Sequence, residues 1–334
     1  MTTTPGALRA PAPLIGLIGA ASALGAPHPG VAAAPAALRD GALARDLAAS
    51  GLSVEWAGLL QPNTAERTAW PAADARSPPG VRRADAAMAT RIAANASFAH
   101  RLANHIAALP ACHFPLVLGG DHAIAAGTWR GVGRRRGRAP GLIWIDAHLD
   151  SHTDATTHSG NIHGMPLAAL LGVGHAALTG IPGPRLDPAR TCLIGARAWE
   201  PEEHALLAGL GVRVFDMHEI RTRGLTAVFC AALAIARADP EAGFGLSLDL
   251  DALDPQALPA VTCPEADGLD PHALTDALRG LRACADFIAL EIVEYRPDLD
   301  PDHRSADWIS AFASAALGIR RPAPGAGPEV EHPQ

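Results

Sequence analysis

The feature that most limits what this chain can fold into is an alternation of short, almost wholly apolar runs with longer stretches of helical spacing. Residues 14–20, 114–120, 141–146, 191–196, 212–216, 244–251 and 287–293 are short for core helices and too continuously apolar for half-exposed strands. They read as strands buried on both faces. Between two of them, Met88, Ile92, Ala99, Leu102 and Ile106 fall on one stripe with helical spacing. Further helices are expected over residues 123–131, 202–208, 226–238, 271–284 and 306–317. Strands alternating with helices imply crossover connections, hence an α/β fold with a parallel sheet and helices on both faces.

Composition excludes several classes. The 334-residue chain is 49% hydrophobic and 18% charged, which suits a soluble protein with a large core. Its formal charge of -7 gives no general attraction to nucleic acid or anionic lipid. Every basic residue among the Lys and Arg is an arginine, and the one dense run, GRRRGR at 133–138, reads as a solvated connecting loop. Five widely spaced cysteines with no CxxC pair argue against a disulfide framework and for a reducing, cytoplasmic compartment. The apolar segment 13–26 imitates a signal sequence, but glycines interrupt it, and a buried first strand is the better reading. No run reaches the roughly 18 apolar residues of a membrane span. Residues 12–319 are read as one catalytic domain, with a flexible start at 1–11, a Pro-rich surface loop at 61–79 and a disordered tail at 320–334.

In open parallel sheets ligands gather at the carboxyl ends of the strands. Three apolar runs end in polar clusters there: His122 in GGDHA, Asp146, His148 and Asp150 in DAHLD, Asp249 and Asp251 in SLDLD. An extended backbone would project alternate residues to one side, so each cluster presents its acids and imidazoles together. Aspartates buried together repel unless cations join them, and these four aspartates balance two divalent ions. Carboxylate oxygen predominates and cysteine is absent from the set, which favours a hard ion such as manganese, with other divalent metals open. Two such ions would activate water for attack on a poor electrophile.

These three motifs, continued by SLDLDALDP and EIVEYRP, resemble the signature motifs of the ureohydrolases, the family of arginase, agmatinase and guanidinobutyrase. The resemblance covers most of the chain and is strongest to arginase. It implies a single three-layer α/β/α domain around an eight-stranded parallel sheet, and a binuclear manganese site. His122, Asp146, Asp150 and Asp249 would hold one ion, and His148, Asp146, Asp249 and Asp251 the other. Asp121 and Asp254 would serve structural hydrogen bonds. SGNIHG at 159–164 matches a segment of arginases that binds the amino-acid end of arginine, so Ser159 and Asn161 would meet the substrate carboxylate. His163 would pass a proton to the departing amine, Glu294 would hold the guanidinium, Asp251 would share in proton transfer, and Glu200 would receive the α-amino group.

Four departures fall on the specificity side. His152 replaces a typical asparagine and is expected to donate to the carboxylate; Ala198 replaces an aspartate, Cys263 a threonine, and Arg296 an asparagine. The expected reaction is hydrolysis of L-arginine to L-ornithine and urea. Guanidinobutyrate or agmatine as substrate is the alternative within the family, and a non-catalytic paralogous subunit the rival outside it. A small guanidino substrate, no nucleic-acid partner, no membrane, and a trimer or hexamer of identical chains complete the expectations.

Overall fold

The structure, a computed structural model, describes residues 14–69, 85–319 and 324; the start at 1–11, most of the tail and part of the 61–79 loop lie outside them. Eight strands, β1 (Leu14–Ala20), β2 (Val54–Leu60), β3 (His113–Gly119), β4 (Gly141–Ile145), β5 (Thr191–Ala196), β6 (Arg213–Asp216), β7 (Phe244–Asp249) and β8 (Phe287–Val293), form one sheet. Its order is β2-β1-β3-β8-β7-β4-β5-β6, and every pairing is parallel. The chain builds β1 to β3, passes over two vacant positions to β4, extends outward to β6, and fills the gap last with β7 and β8. The four central strands, β3, β8, β7 and β4, are therefore neighbours drawn from widely separated sequence.

Alternate residues of each strand serve opposite faces. Ile143, Ile145, Leu246 and Leu248 enter one core, while Leu142, Trp144, Val117 and Val293 enter the other. Both faces are covered by helices, which is why the runs are apolar throughout. β2 went unforeseen because VEWAGLL is only half-buried at the sheet edge and is interrupted by Glu55 and Gly58. The eight-stranded expectation holds through it.

Three local expectations need correction. GRRRGR is not a loop: the helix Ala125–Arg136 runs through it and ends at Gly137, whose φ of 69° closes the turn. Three arginines in the last turn complement the helix's negative end, and Arg136 donates to the Glu241 carbonyl. The helix expected over 271–284 stops at Leu278, because Gly280 takes a left-handed φ of 95°. Within 61–79, residues Thr64–Thr68 form a short helix capped by Asn63 and Glu66.

Candidate metal centre and substrate cleft

The strands bring GGDHA, DAHLD, SLDLD and EIVEYRP to the carboxyl ends of β3, β4, β7 and β8, side by side. The side chains do not converge by extended spacing. β4 ends at Ile145 and β7 at Asp249, and the backbone turns at once. Each turn is made by the first aspartate of its motif, whose Oδ1 accepts the N–H two residues on: Asp121 from Ala123, Asp146 from His148, and Asp249 from Asp251. That bond bends the chain over the strand end; the second oxygens of Asp146 and Asp249 then point inward to His122, while that of Asp121 accepts from Gly25. In a D-x-H or D-x-D motif the aspartate is thus both turn-former and candidate ligand.

Around the Nδ1 of His122 lie Asp146 Oδ2 at 3.2 Å, Asp150 Oδ2 at 3.1 Å and Asp249 Oδ2 at 3.0 Å. His148 Nδ1 lies 3.0 Å from Asp251 Oδ2 and 3.5 Å from Asp146 Oδ1. Asp146 belongs to both groups, so the clusters adjoin, and each can hold a metal ion. Burial is nearly complete for all but His148. His122 Nδ1 and Asp150 Oδ2 are buried without a hydrogen-bond partner of proper geometry. Buried lone pairs left unpaired among carboxylates fit a cation, and the donor set of oxygen with imidazole suits a hard divalent one.

The electrostatics of the cluster show the same need. Burial lifts the Asp150 carboxyl to about 6, helped by the charge of Asp146, and lifts Asp249 well above its usual range, helped by Asp251 and Asp146. Burial alone would depress His122; the close carboxylates of Asp146, Asp150 and Asp249 outweigh it and hold the imidazole well above its ordinary value. A proton stands where a cation fits, so metal binding has to displace it.

Behind His122 runs a chain of hydrogen bonds whose direction is fixed. The Trp129 indole N–H can only donate, and does so to Glu291 Oε1 at 3.1 Å. The Ser247 hydroxyl donates to the same oxygen at 2.7 Å, which leaves the serine oxygen to accept from His122 Nε2 at 2.9 Å. The imidazole is therefore locked with its proton on Nε2 and Nδ1 toward the aspartates. Trp144 stacks on the same ring at 4.1 Å between centroids and donates to Asp146 Oδ2 at 2.9 Å. These residues were not singled out from sequence, though a glutamate inside the apolar run FIALEIV signals a buried partner.

Glu294 occupies the end of β8 with a left-handed φ of 68°, a strained setting for a side chain that bears a Cβ. Its N–H donates to Gly120, and its Oε1 accepts from the His122 N–H at 2.8 Å and faces His163 Nδ1 at 2.9 Å. Burial would raise its carboxyl, but the charge and hydrogen bond of His163 keep it below the ordinary value. In return Glu294 overcomes the effect of burial on His163 and lifts that imidazole to about 9. Glu294 Oε2 is buried and among the described residues makes no hydrogen bond of proper geometry, although the Thr262 side chain lies near the carboxylate. Asp121 and Asp254 do bind backbone: Asp121 Oδ2 accepts from Gly25, and Asp254 accepts from Gln256 and Gly268.

The specificity-side residues lie on the loops after β4 and β5. Ser159 is exposed and Asn161 half-buried, with the Ser159 hydroxyl accepting the Asn161 N–H; Arg91 clasps the same loop through the Gly160 carbonyl. Glu200 precedes the helix Pro201–Leu210, and its N–H donates to Glu203 Oε2. His152 does not present a free donor, as expected of it. Its Nε2 meets Glu200 Oε2 at 3.0 Å and its Nδ1 meets the Thr156 hydroxyl at 3.1 Å. Burial and Glu200 lift the Glu203 carboxyl to about 8, while bonds from Glu203 and His152 outweigh burial and keep Glu200 below its usual value. Arg197, also unforeseen, donates to the carbonyls of Asp251, Ala252, Leu253 and Glu265, tying the loop after β7 to the end of β5.

A parallel sheet that gathers buried aspartates and imidazoles at the ends of its central strands defines an α/β protein with candidate metal-binding clusters. The chain belongs to the arginase family, whose model matches residues 14–318. It is similar to the arginase of Bacillus caldovelox, 42% identical over 207 residues that make up 61% of this chain and 69% of the relative. The arginase of Brevibacillus brevis is 41% identical over 221 residues, 65% of this chain and 74% of the relative. The crystal structure of an arginase from Bacillus cereus superposes with a TM-score of 0.79 at 33% identity, covering 93% of this chain and all of the other. Among the described residues no helix is long and apolar enough to cross a membrane.

Proposed function

We propose that this hydrolase splits L-arginine into L-ornithine and urea with two manganese ions, other divalent metals being the alternative. His122, Asp146, Asp150 and Asp249 hold one ion, and His148, Asp146, Asp249 and Asp251 the other. When bound, the pair supplies water activation at neutral pH. The observation that carries the reading is Glu294 Oε2, a buried carboxylate oxygen beside the two clusters that among the described residues has no hydrogen bond of proper geometry, with only the Thr262 side chain near the carboxylate. Its Oε1 is fixed by His122 and His163, so the remaining oxygen is preorganised to accept N–H from a planar guanidinium.

Proton handling falls to two groups. Asp251, pinned through Oδ1 by the Ala147 N–H, takes part beside the reacting carbon, and His163, held protonated by Glu294, delivers a proton to the departing amine. Ser159 and Asn161 bind the substrate's carboxylate and Glu200 its α-amino group. Guanidinobutyrate and agmatine each lack one of those tail groups. Similarity to proteins named arginase supports the amino-acid tail.

The test is urea release by the manganese-loaded protein from L-arginine, agmatine and guanidinobutyrate at equal concentration. L-arginine should lead by at least about tenfold in kcat/KM, the factor that one charged contact supplies. A preference for agmatine would sink the assignment, and a metal-loaded chain that released no urea from any of them would point to a binding subunit.

A further inference from the structure

His152 is the departure that the sequence left least explained, and its setting is unusually constrained. The residue is 7% exposed, and both ring nitrogens are engaged. Their roles follow from the partners. Glu200 is ionised and its oxygen only accepts, so Nε2 carries the proton toward it. Nδ1 is then the acceptor, and the Thr156 hydroxyl donates to it, while the Thr156 oxygen takes the Thr153 N–H at 2.9 Å. The imidazole is locked at both ends by the loop that follows the metal motif.

What it holds is the acid, and the acid is what a ligand meets. The Glu200 side chain is 45% exposed, against 8% for that of His152. Glu203 joins the two segments from below, accepting the Ser151 N–H on one oxygen and the Glu200 N–H on the other. The loops after β4 and β5 are thereby tied together, with the Glu200 carboxylate half-exposed between them. A half-exposed glutamate with no such anchor samples several rotamers and has to be ordered when a ligand binds.

We propose that His152 is a specificity-determining positioning residue: it presets the Glu200 carboxylate for a primary ammonium on the tail of the substrate and does not itself bind the substrate carboxylate. The inference rests on the substrate reading above in placing Glu200 at the tail. It deepens that reading by assigning tail discrimination to a buried histidine–glutamate pair.

A binding measurement separates the two. Calorimetry on the manganese-loaded protein compares L-ornithine with δ-aminovalerate, which lacks only the α-ammonium, for wild type, His152→Ala, His152→Gln and Thr156→Val. Wild type should prefer L-ornithine. His152→Ala should lose about tenfold of that preference, the worth of one hydrogen bond to a charged group, with δ-aminovalerate affinity unchanged. His152→Gln, whose amide N–H replaces Nε2–H, should recover most of it, and Thr156→Val should lose a smaller part. Manganese content is measured on each variant. A general loosening of the loop would weaken both ligands together, and that result overturns the proposal. So would a wild type with no preference for L-ornithine, or a His152→Ala protein that keeps it. Failure to hydrolyse L-arginine would overturn the substrate reading while leaving this ratio to decide the role of His152.

Discussion

The Ser247 hydroxyl donates to Glu291 Oε1 at 2.7 Å and thereby decides which nitrogen of His122 faces the aspartates. Trp129 donates to the same carboxylate oxygen, so Glu291 Oε1 takes both protons. Ser247→Ala removes the acceptor for Nε2–H and frees the ring to rotate or change tautomer. Manganese affinity should fall about 10- to 100-fold, the usual cost of losing a partner that orients a metal ligand. Titration of the metal-free protein with manganese reads it; an unchanged affinity would show that the ring is held by Trp144 stacking alone.

Gly120 carries a different constraint. A Cβ there would come within 1.7 Å of the Ser22 carbonyl oxygen, although its φ is not left-handed. The close approach lets Gly120 donate to Ala20, Asp121 donate to Ser22 and Gly120 accept from Glu294, so one residue stitches β1, β3 and β8 at the site. Gly120→Ala should cost about 3 kcal/mol or more, at the severe end of single substitutions. Denaturant unfolding of the metal-free protein measures it, and a loss under about 1 kcal/mol would mean that the backbone shifts freely.

How far the sequence discloses this site depends on which physical rule each residue obeys. Strands buried on both faces are legible as apolar runs, and six of the eight were; β6, expected among them, is an edge strand with Arg213 exposed, and β2, at the other edge, is half-exposed and shows no such run. The acids and imidazoles of DAHLD and SLDLD were legible as a cluster at strand ends, yet the extended spacing invoked for them was the wrong geometry. Hydrogen bonds from Asp146 and Asp249 to the backbone turn the chain instead, and Asp150 sits at a left-handed φ of 47°. His152 and Glu200 were named from sequence, but their pairing with each other and with Glu203 was beyond reach for another reason. Their pairing depends on two loops from adjacent strands, which no local pattern encodes.

The metal-free protein should lose stability as the medium becomes alkaline. His163 titrates near its ordinary value when unfolded and at about 9 when folded, because Glu294 stabilises its charged form despite burial. Its contribution is fully present below about 6.5 and is lost as pH rises through the folded value. Thermal unfolding after chelation, followed from pH 6 to pH 10 in ~0.5-unit steps, should therefore show Tm falling across that window. His163→Asn should flatten the fall. A wild-type profile that rises over this range would contradict the His163–Glu294 pairing.

The last prediction separates proton delivery from metal holding. Among the described residues His163 reaches no aspartate of the clusters by hydrogen bond, and its side-chain partner is Glu294. Removing the imidazole should leave the ions in place and the guanidinium still anchored by Glu294. The departing amine, however, would have to take its proton from solvent. His163→Ala should then lower kcat about 10²- to 10⁴-fold, the range for a lost general acid, with KM changed far less and manganese content kept. Added imidazole should restore part of the rate, since the vacated space lies beside the carboxylate that charged the original ring. Loss of both ions on mutation would instead make His163 a support for the metal centre, and full activity would leave the proton to another donor.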